Sequence, residues 1–206
     1  MNTIKQHWET VFNTKTPQEV SWTQEYPSTS IELIKLLKIG AAKAIIDVGG
    51  GDSQLVDVLI EEGYTDITVL DISQKALQRA KDRLGDDAKK VKWIVCDILD
   101  FKPKRNYSIW HDRAAFHFLT NPNDIKYYTE KVNQYVSEGL VIGTFSLKGP
   151  LKCSGLPVTQ YSTDTLLGNF KEHFKIIKSI EEEHTTPFKT KQNFSFMCFK
   201  KKGIPN

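Results

Sequence analysis

Residues 44–48 (AIIDV) form a short apolar run that ends in glycines. Ser53 then stands before Leu55, Val56, Leu59 and Ile60, which recur at helical spacing as far as Gly63. This pattern predicts a strand, a tight turn and a helix. It returns at once: residues 67–70 are rich in β-branched side chains, Asp71 ends the run, Ser73 is placed to cap, and Ala76, Leu77, Ala80 and Leu84 make one helical face that Gly85 stops. Two successive strand-helix units within about 40 residues imply parallel strands joined by right-handed crossovers.

Further strands are predicted at 91–96, 107–111 and 139–146, with a helix at 125–136 entered through Asn121 and Pro122. Residues 148–159 are rich in Gly, Pro and Ser and read as a loop, followed by a short helix near 165–173. Two strand-like runs, 174–180 and 193–199, close the chain. Their connection, 181–192, is too short for a crossover helix with its turns, so they should pair antiparallel. At the other end, residues 1–38 carry two helical patterns separated by Pro17 and Pro27. The expected architecture is one α/β domain over 1–206, with a Rossmann-like seven-stranded, mostly parallel sheet, an antiparallel C-terminal hairpin and helices on both faces. Residues 1–38 form an N-terminal helical arm over the strand C-terminal ends, and 39–206 the catalytic core.

Composition narrows the partners. The 206 residues are 39% hydrophobic and 26% charged, with a net charge of +3. Acidic and basic residues are interspersed, without the basic excess of a dedicated nucleic-acid binder. No window has the roughly 18 uncharged apolar residues of a membrane helix, and the start lacks the apolar core of a secretory signal, so the expectation is a cytoplasmic protein acting away from nucleic acid and membrane. Cys96, Cys153 and Cys198 cannot all pair and show no two-residue zinc or redox spacing. No metal is expected either, because no His pair shares an i, i+4 face.

The candidate chemistry lies at the strand ends. Asp47-Val-Gly-Gly-Gly-Asp-Ser53 places three glycines, Gly49, Gly50 and Gly51, between a strand end and a helix start. Glycine there lets a ligand approach bare backbone while the helix N-terminus offers N–H groups. Asp71 and then Ile72 follow the second strand, where α/β sheets use a carboxylate to accept from ribose hydroxyls. Asp97 and Ile98 follow the third, where an acid and a backbone N–H can meet an adenine edge. Together these positions outline adenosine. A dinucleotide fingerprint wants Gly or Ala three residues after Gly51, but Gln54 stands there. Asp47 and Asp52 would also repel a pyrophosphate, whereas Asp47 suits the cationic amino-acid end of S-adenosylmethionine.

The chain at this point resembles the class I S-adenosylmethionine-dependent methyltransferases, through IIDVGGGDS at 45–53, VLDIS at 69–73 and VCDILD at 95–100. A narrower likeness is to the thiopurine and thiol methyltransferase branch. It is carried by Ile109-Trp-His-Asp-Arg113, by His7-Trp8-Glu9 and Val20-Ser-Trp22-Thr-Gln24 in the arm, and by Lys148-Gly-Pro150. The resemblance implies that Asp71 binds the ribose, Asp97 and Ile98 the adenine, that Arg113 lies close to the cofactor, and that Trp22 stands between cofactor and substrate. The chain departs from that branch by inserting His111 before the Asp-Arg pair and by carrying Cys-Ser-Gly at 153–155.

Methyl transfer needs alignment and a dry site more than a catalytic triad. A thiol acceptor requires only a weak base, whereas an amine or oxygen acceptor would call on His111, Asp112 or His117 to take a proton. The substrate pocket is expected to be walled by Trp22, Arg113, His117, Cys153 and Tyr161. The expected acceptor is a small molecule; the rival readings are a protein (lysine) methyltransferase and a non-catalytic S-adenosylmethionine-binding regulator.

Overall fold

The computed structural model describes residues 3–203; residues 1, 2 and 204–206, included in the expected arm and domain bounds, lie outside the described residues. The sheet is built from β1 (Ile45–Val48), β2 (Ile67–Asp71), β3 (Val91–Val95), β4 (Tyr107–Arg113), β5 (Val136–Phe145), and the two C-terminal strands. A small hairpin of β6 (Lys152–Cys153) and β7 (Leu156–Pro157) interrupts the predicted loop, turning through Ser154 and Gly155, both with positive φ. The C-terminal strands, β8 (Phe174–Thr185) and β9 (Lys191–Lys201), complete a seven-stranded sheet in the order β3-β2-β1-β4-β5-β9-β8.

β1, β2 and β4 are buried almost throughout because, as central parallel strands, they are covered on both faces. Side-chain alternation divides the core in two. Ile45, Ile109 and Val141 face one side, while Ile46, Trp110 and Ile142 face the other. Helices α3 (Leu55–Glu61) and α4 (Gln74–Leu84) make the crossovers between the first three strands. Ser73 Oγ caps α4 by accepting from Ala76 N at 3.1 Å. α5 (Pro122–Tyr135), capped by Asn121, runs straight into β5, and α6 (Thr163–Phe170) starts from a capping box at Ser162.

The antiparallel pairing of the last two strands is present, and the strands are longer than the sequence pattern suggested. β9 pairs antiparallel with both β5 and β8, so the last strand of the chain lies inside the sheet and β8 is its edge. Glu181, Glu182 and Glu183, expected in a connection, extend β8, since an edge strand exposed to water accepts charge.

The arm divides. α1 (Thr3–Thr14) packs on α4, at the strand C-terminal ends. α2 (Ser28–Leu36) instead lies along a sheet face, against α3, β4, β5 and β9, with Ile31, Leu33 and Ile34 buried. Residues 28–36 therefore belong to the core rather than to a cover. Among the described residues, no helix is long and apolar enough to cross a membrane.

Candidate active site

The ends of β1 to β4 open into a cavity of about 400 Å³. Its floor is the glycine turn. Gly49 and Gly51 have φ of 68° and 50°, and a Cβ on Gly49 would lie 2.6 Å from Ala115 Cβ, so the turn accepts no side chain there. Trp22, Asp47, Gly50, Asp71, Ile72, Asp97, Ile98, Arg113 and Cys153, all singled out by the sequence, line the same cavity.

Asp71 is buried at the end of β2 and accepts from Ser73 N at 2.8 Å. Burial, and then the nearby carboxylates of Asp47 and Asp52, push it up to about 7. Asp97 opens the turn after β3 and accepts from Leu99 N at 3.0 Å. Lys131 of α5 supports that turn by donating to the carbonyls of Ile98 and Leu99. Its own ammonium is pushed down to about 8 by burial.

Overhead is an aromatic roof. Trp8 packs edge-on against Phe118 and Trp22, with centroids at 5.2 and 5.8 Å, and Phe12 completes the cluster. Glu9, on the same helix, binds the start of α4: its Oε1 accepts from Gln74 N at 2.7 Å, and its Oε2 accepts from Ser73 Oγ at 3.0 Å and Lys75 N at 3.2 Å. A carboxylate on a helix N-terminus is well placed, and here it ties α1 down over the glycine turn. The i, i+4 spacing of Trp8 and Phe12 on one helix face is a signal that could have pointed to the roof, but Glu9 and Lys131 have none in local pattern because their partners are distant along the chain.

Arg113 lies at the wall between roof and sheet. Its Nη1 donates to the Trp22 carbonyl at 2.9 Å, and its guanidinium sits 5.1 Å above the Phe194 ring. Nε and Nη2 are buried without a partner. Burial lowers the guanidinium to about 10, which leaves it charged at neutral pH. Cys153 stands nearby as a protonated wall, its thiol pushed up to about 11 by burial.

Four expected residues are placed differently. Asp112 is fully buried on the sheet face opposite His111, where it accepts from Ala115 N and Phe116 N, each at 3.0 Å, and from Tyr128 Oη at 2.6 Å. Burial raises it to about 6, and with its acceptors filled it is not a base for substrate. His117 is buried outside the cavity lining, accepts from Phe145 N at 3.2 Å, and is driven down to about 3 by burial and by the charge of Arg113. It is an uncharged packing residue, too weakly basic to take a proton from substrate. Tyr161 stacks on Phe116 at 5.3 Å, in the core on the other side of the sheet. His111 does reach the lining, but both ring nitrogens are engaged, Nδ1 with Asp47 at 2.7 Å and Nε2 with Ser30 at 2.9 Å. No ring nitrogen is left to accept a proton. Among the described residues no group of three His, Cys, Asp or Glu side chains is arranged to hold a metal.

Residues 45–139 match a methyltransferase domain. Human EEF1A lysine methyltransferase 2 is 23% identical over 194 residues, covering 85% of this chain and 76% of that protein. An S-adenosylmethionine-dependent methyltransferase from Anabaena variabilis superposes with a TM-score of 0.74 at 13% identity, covering 98% of this chain and 94% of that one. A 1,6-didemethyltoxoflavin-N1-methyltransferase from Burkholderia thailandensis, solved with its substrate and S-adenosylhomocysteine, has a TM-score of 0.71 at 13% identity, covering 97% and 88%. The chain carries a Rossmann-like fold, with a methyltransferase domain over residues 45–139. It is a methyltransferase enzyme, and S-adenosylmethionine is its cofactor.

Proposed function

We propose that the protein transfers a methyl group from S-adenosylmethionine to a small acceptor that carries an anionic group. The single observation behind this reading is the cavity roofed by Trp8, Phe12 and Trp22, with Arg113 in its wall and the Nε and Nη2 of that residue without a partner. Two buried guanidinium nitrogens without a partner are costly unless a ligand accepts from them, and a carboxylate matches the fork of their N–H groups. When bound, the cofactor supplies an electrophilic methyl group on a sulfonium.

The cradle suits that cofactor. The side-chain-free turn at Gly49, Gly50 and Gly51 admits close contact, Asp71 faces the ribose hydroxyls, and Asp97 with Ile98 meets the adenine. Asp47 takes the amino end, with Ile72 and Trp22 as apolar walls. On the acceptor side, Trp22, Arg113 and Cys153 form the pocket, and the roof excludes water. Among the described residues, the three bases expected at the acceptor, His111, Asp112 and His117, are all committed elsewhere. That favours a nucleophile that is already ionised or loses its proton to water, such as a thiol, in keeping with the resemblance to the thiopurine and thiol branch.

The relative that methylates a lysine supports a second reading, a protein methyltransferase. Incubating the enzyme with methyl-labelled donor and a cell extract separates them. Label in small metabolites is the expected result, label in precipitable protein would support the second, and no transfer would leave only a donor-binding regulator. Replacing Arg113 by Met should weaken binding of donor or acceptor by about ten-fold, as expected for losing a charged hydrogen bond, with little change in melting temperature. A variant that unfolds while its folded fraction keeps full affinity would make Arg113 structural.

A further inference from the structure

We infer that His111 and Ser30 are positioning residues that aim Asp47 at the amino group of the methyl donor. The inference rests on the proposed reading of the site as a donor cradle. Asp47 and His111 are register partners on adjacent strands, so their side chains project from the same sheet face. His111 Nδ1 meets Asp47 Oδ1 at 2.7 Å, and Nε2 meets Ser30 Oγ at 2.9 Å, with all three side chains buried. The other carboxylate oxygen, Oδ2, faces the glycine turn: it lies 2.5 Å from where a Cβ on Gly50 would be.

The order of hydrogen bonds assigns the roles. An Asp47 carboxylate can only accept, so Nδ1 donates to it; with the proton on Nδ1, Ser30 O–H is placed to donate to Nε2. Ser30 thereby selects the tautomer, and His111 locks one oxygen of Asp47 so that the other stays turned toward the cavity. A Lys or Arg in place of His111 would neutralise the site, and an apolar residue would leave Asp47 free to rotate. The Ser-His-Asp order resembles a hydrolase triad, but Ser30 lies outside the cavity lining, so the chain runs from the helix toward the ligand and ends on the carboxylate.

The test compares two ligands that share the adenosine. S-adenosylhomocysteine carries the amino-acid end and 5′-methylthioadenosine lacks it, so calorimetry on each reads the Asp47 contribution separately from the rest of the cradle. His111→Leu should lower affinity for S-adenosylhomocysteine about ten-fold and change that for methylthioadenosine by less than about two-fold. His111→Asn, which keeps an N–H close to the position of Nδ1, should restore most of the lost affinity. Should His111→Leu not fold, His111→Gln, which can contact Ser30 but withdraws the donor from Asp47, takes its place with the same expected split. Equal losses for both ligands, or no loss for either, would show that the trio only packs the core and overturn the inference. If the wild-type protein binds neither nucleoside, it is the donor-cradle reading that fails.

Discussion

Asp71→Ala is expected to weaken S-adenosylhomocysteine binding by about 1.5 to 3 kcal/mol, because it removes a charged acceptor for two ribose hydroxyls. The wild-type site should also show a distinctive pH dependence. Burial holds Asp71 up to about 7, whereas the hydroxyls favour its ionised form, so affinity should fall by about ten-fold between pH 8 and pH 6, with proton release on binding that rises toward one as the pH falls through that range. Calorimetry in buffers of different ionisation enthalpy measures both quantities, and Asp71→Asn should abolish the pH term. Stability has the opposite sign. Because the folded carboxyl binds its proton more tightly than the unfolded one, the ligand-free protein should lose stability as pH rises from about 4 to about 7. Asp112, raised to about 6 by burial, adds to that loss over the lower part of the window. Donor affinity that does not change with pH would show that Asp71 does not meet the ribose.

The second large effect concerns the fold. Asp112→Ala should destabilise the protein by about 3 kcal/mol or more, because two backbone N–H groups and the Tyr128 hydroxyl lose their common buried acceptor. The hydroxyl in turn accepts from Trp110 Nε1 at 2.9 Å, so the damage extends into the aromatic core. Chemical denaturation reads the loss. Donor affinity per folded molecule should remain near wild type, which distinguishes this structural carboxylate from one that touches substrate. A stable Asp112→Ala protein with impaired methyl transfer would return Asp112 to the active site.

These two aspartates differ in how plainly the sequence announced them. Asp71 ends a buried parallel strand, and such strands read as continuous apolar runs whose first charged residue marks the sheet's C-terminal edge. Asp47, near the end of buried β1, is legible for the same reason, whereas Asp97 follows the edge strand β3 and is legible only by its place after the third strand. Asp112 sits one residue from His111, and adjacent strand residues must point to opposite faces. That alternation already implied that the two could not share one pocket, but which face held the ligand depended on where α2 docked.

Local pattern therefore determined the parallel strand-helix units, the glycine turn and the acids at the strand ends, because each follows from periodicity and backbone chemistry over a few residues. Only the tertiary structure decided what chain-distant partners settle. It placed β9 inside the sheet with the acidic β8 at its edge, and it packed α2 into the core. It set Glu9 on the start of α4, Lys131 under the turn after β3 and Ser30 against His111. It also sealed His117 and Tyr161 in the core. The physical reason is burial: whether a histidine is a base or a packing residue depends on its solvation and on the charges around it, and neither is encoded in neighbouring letters of the chain.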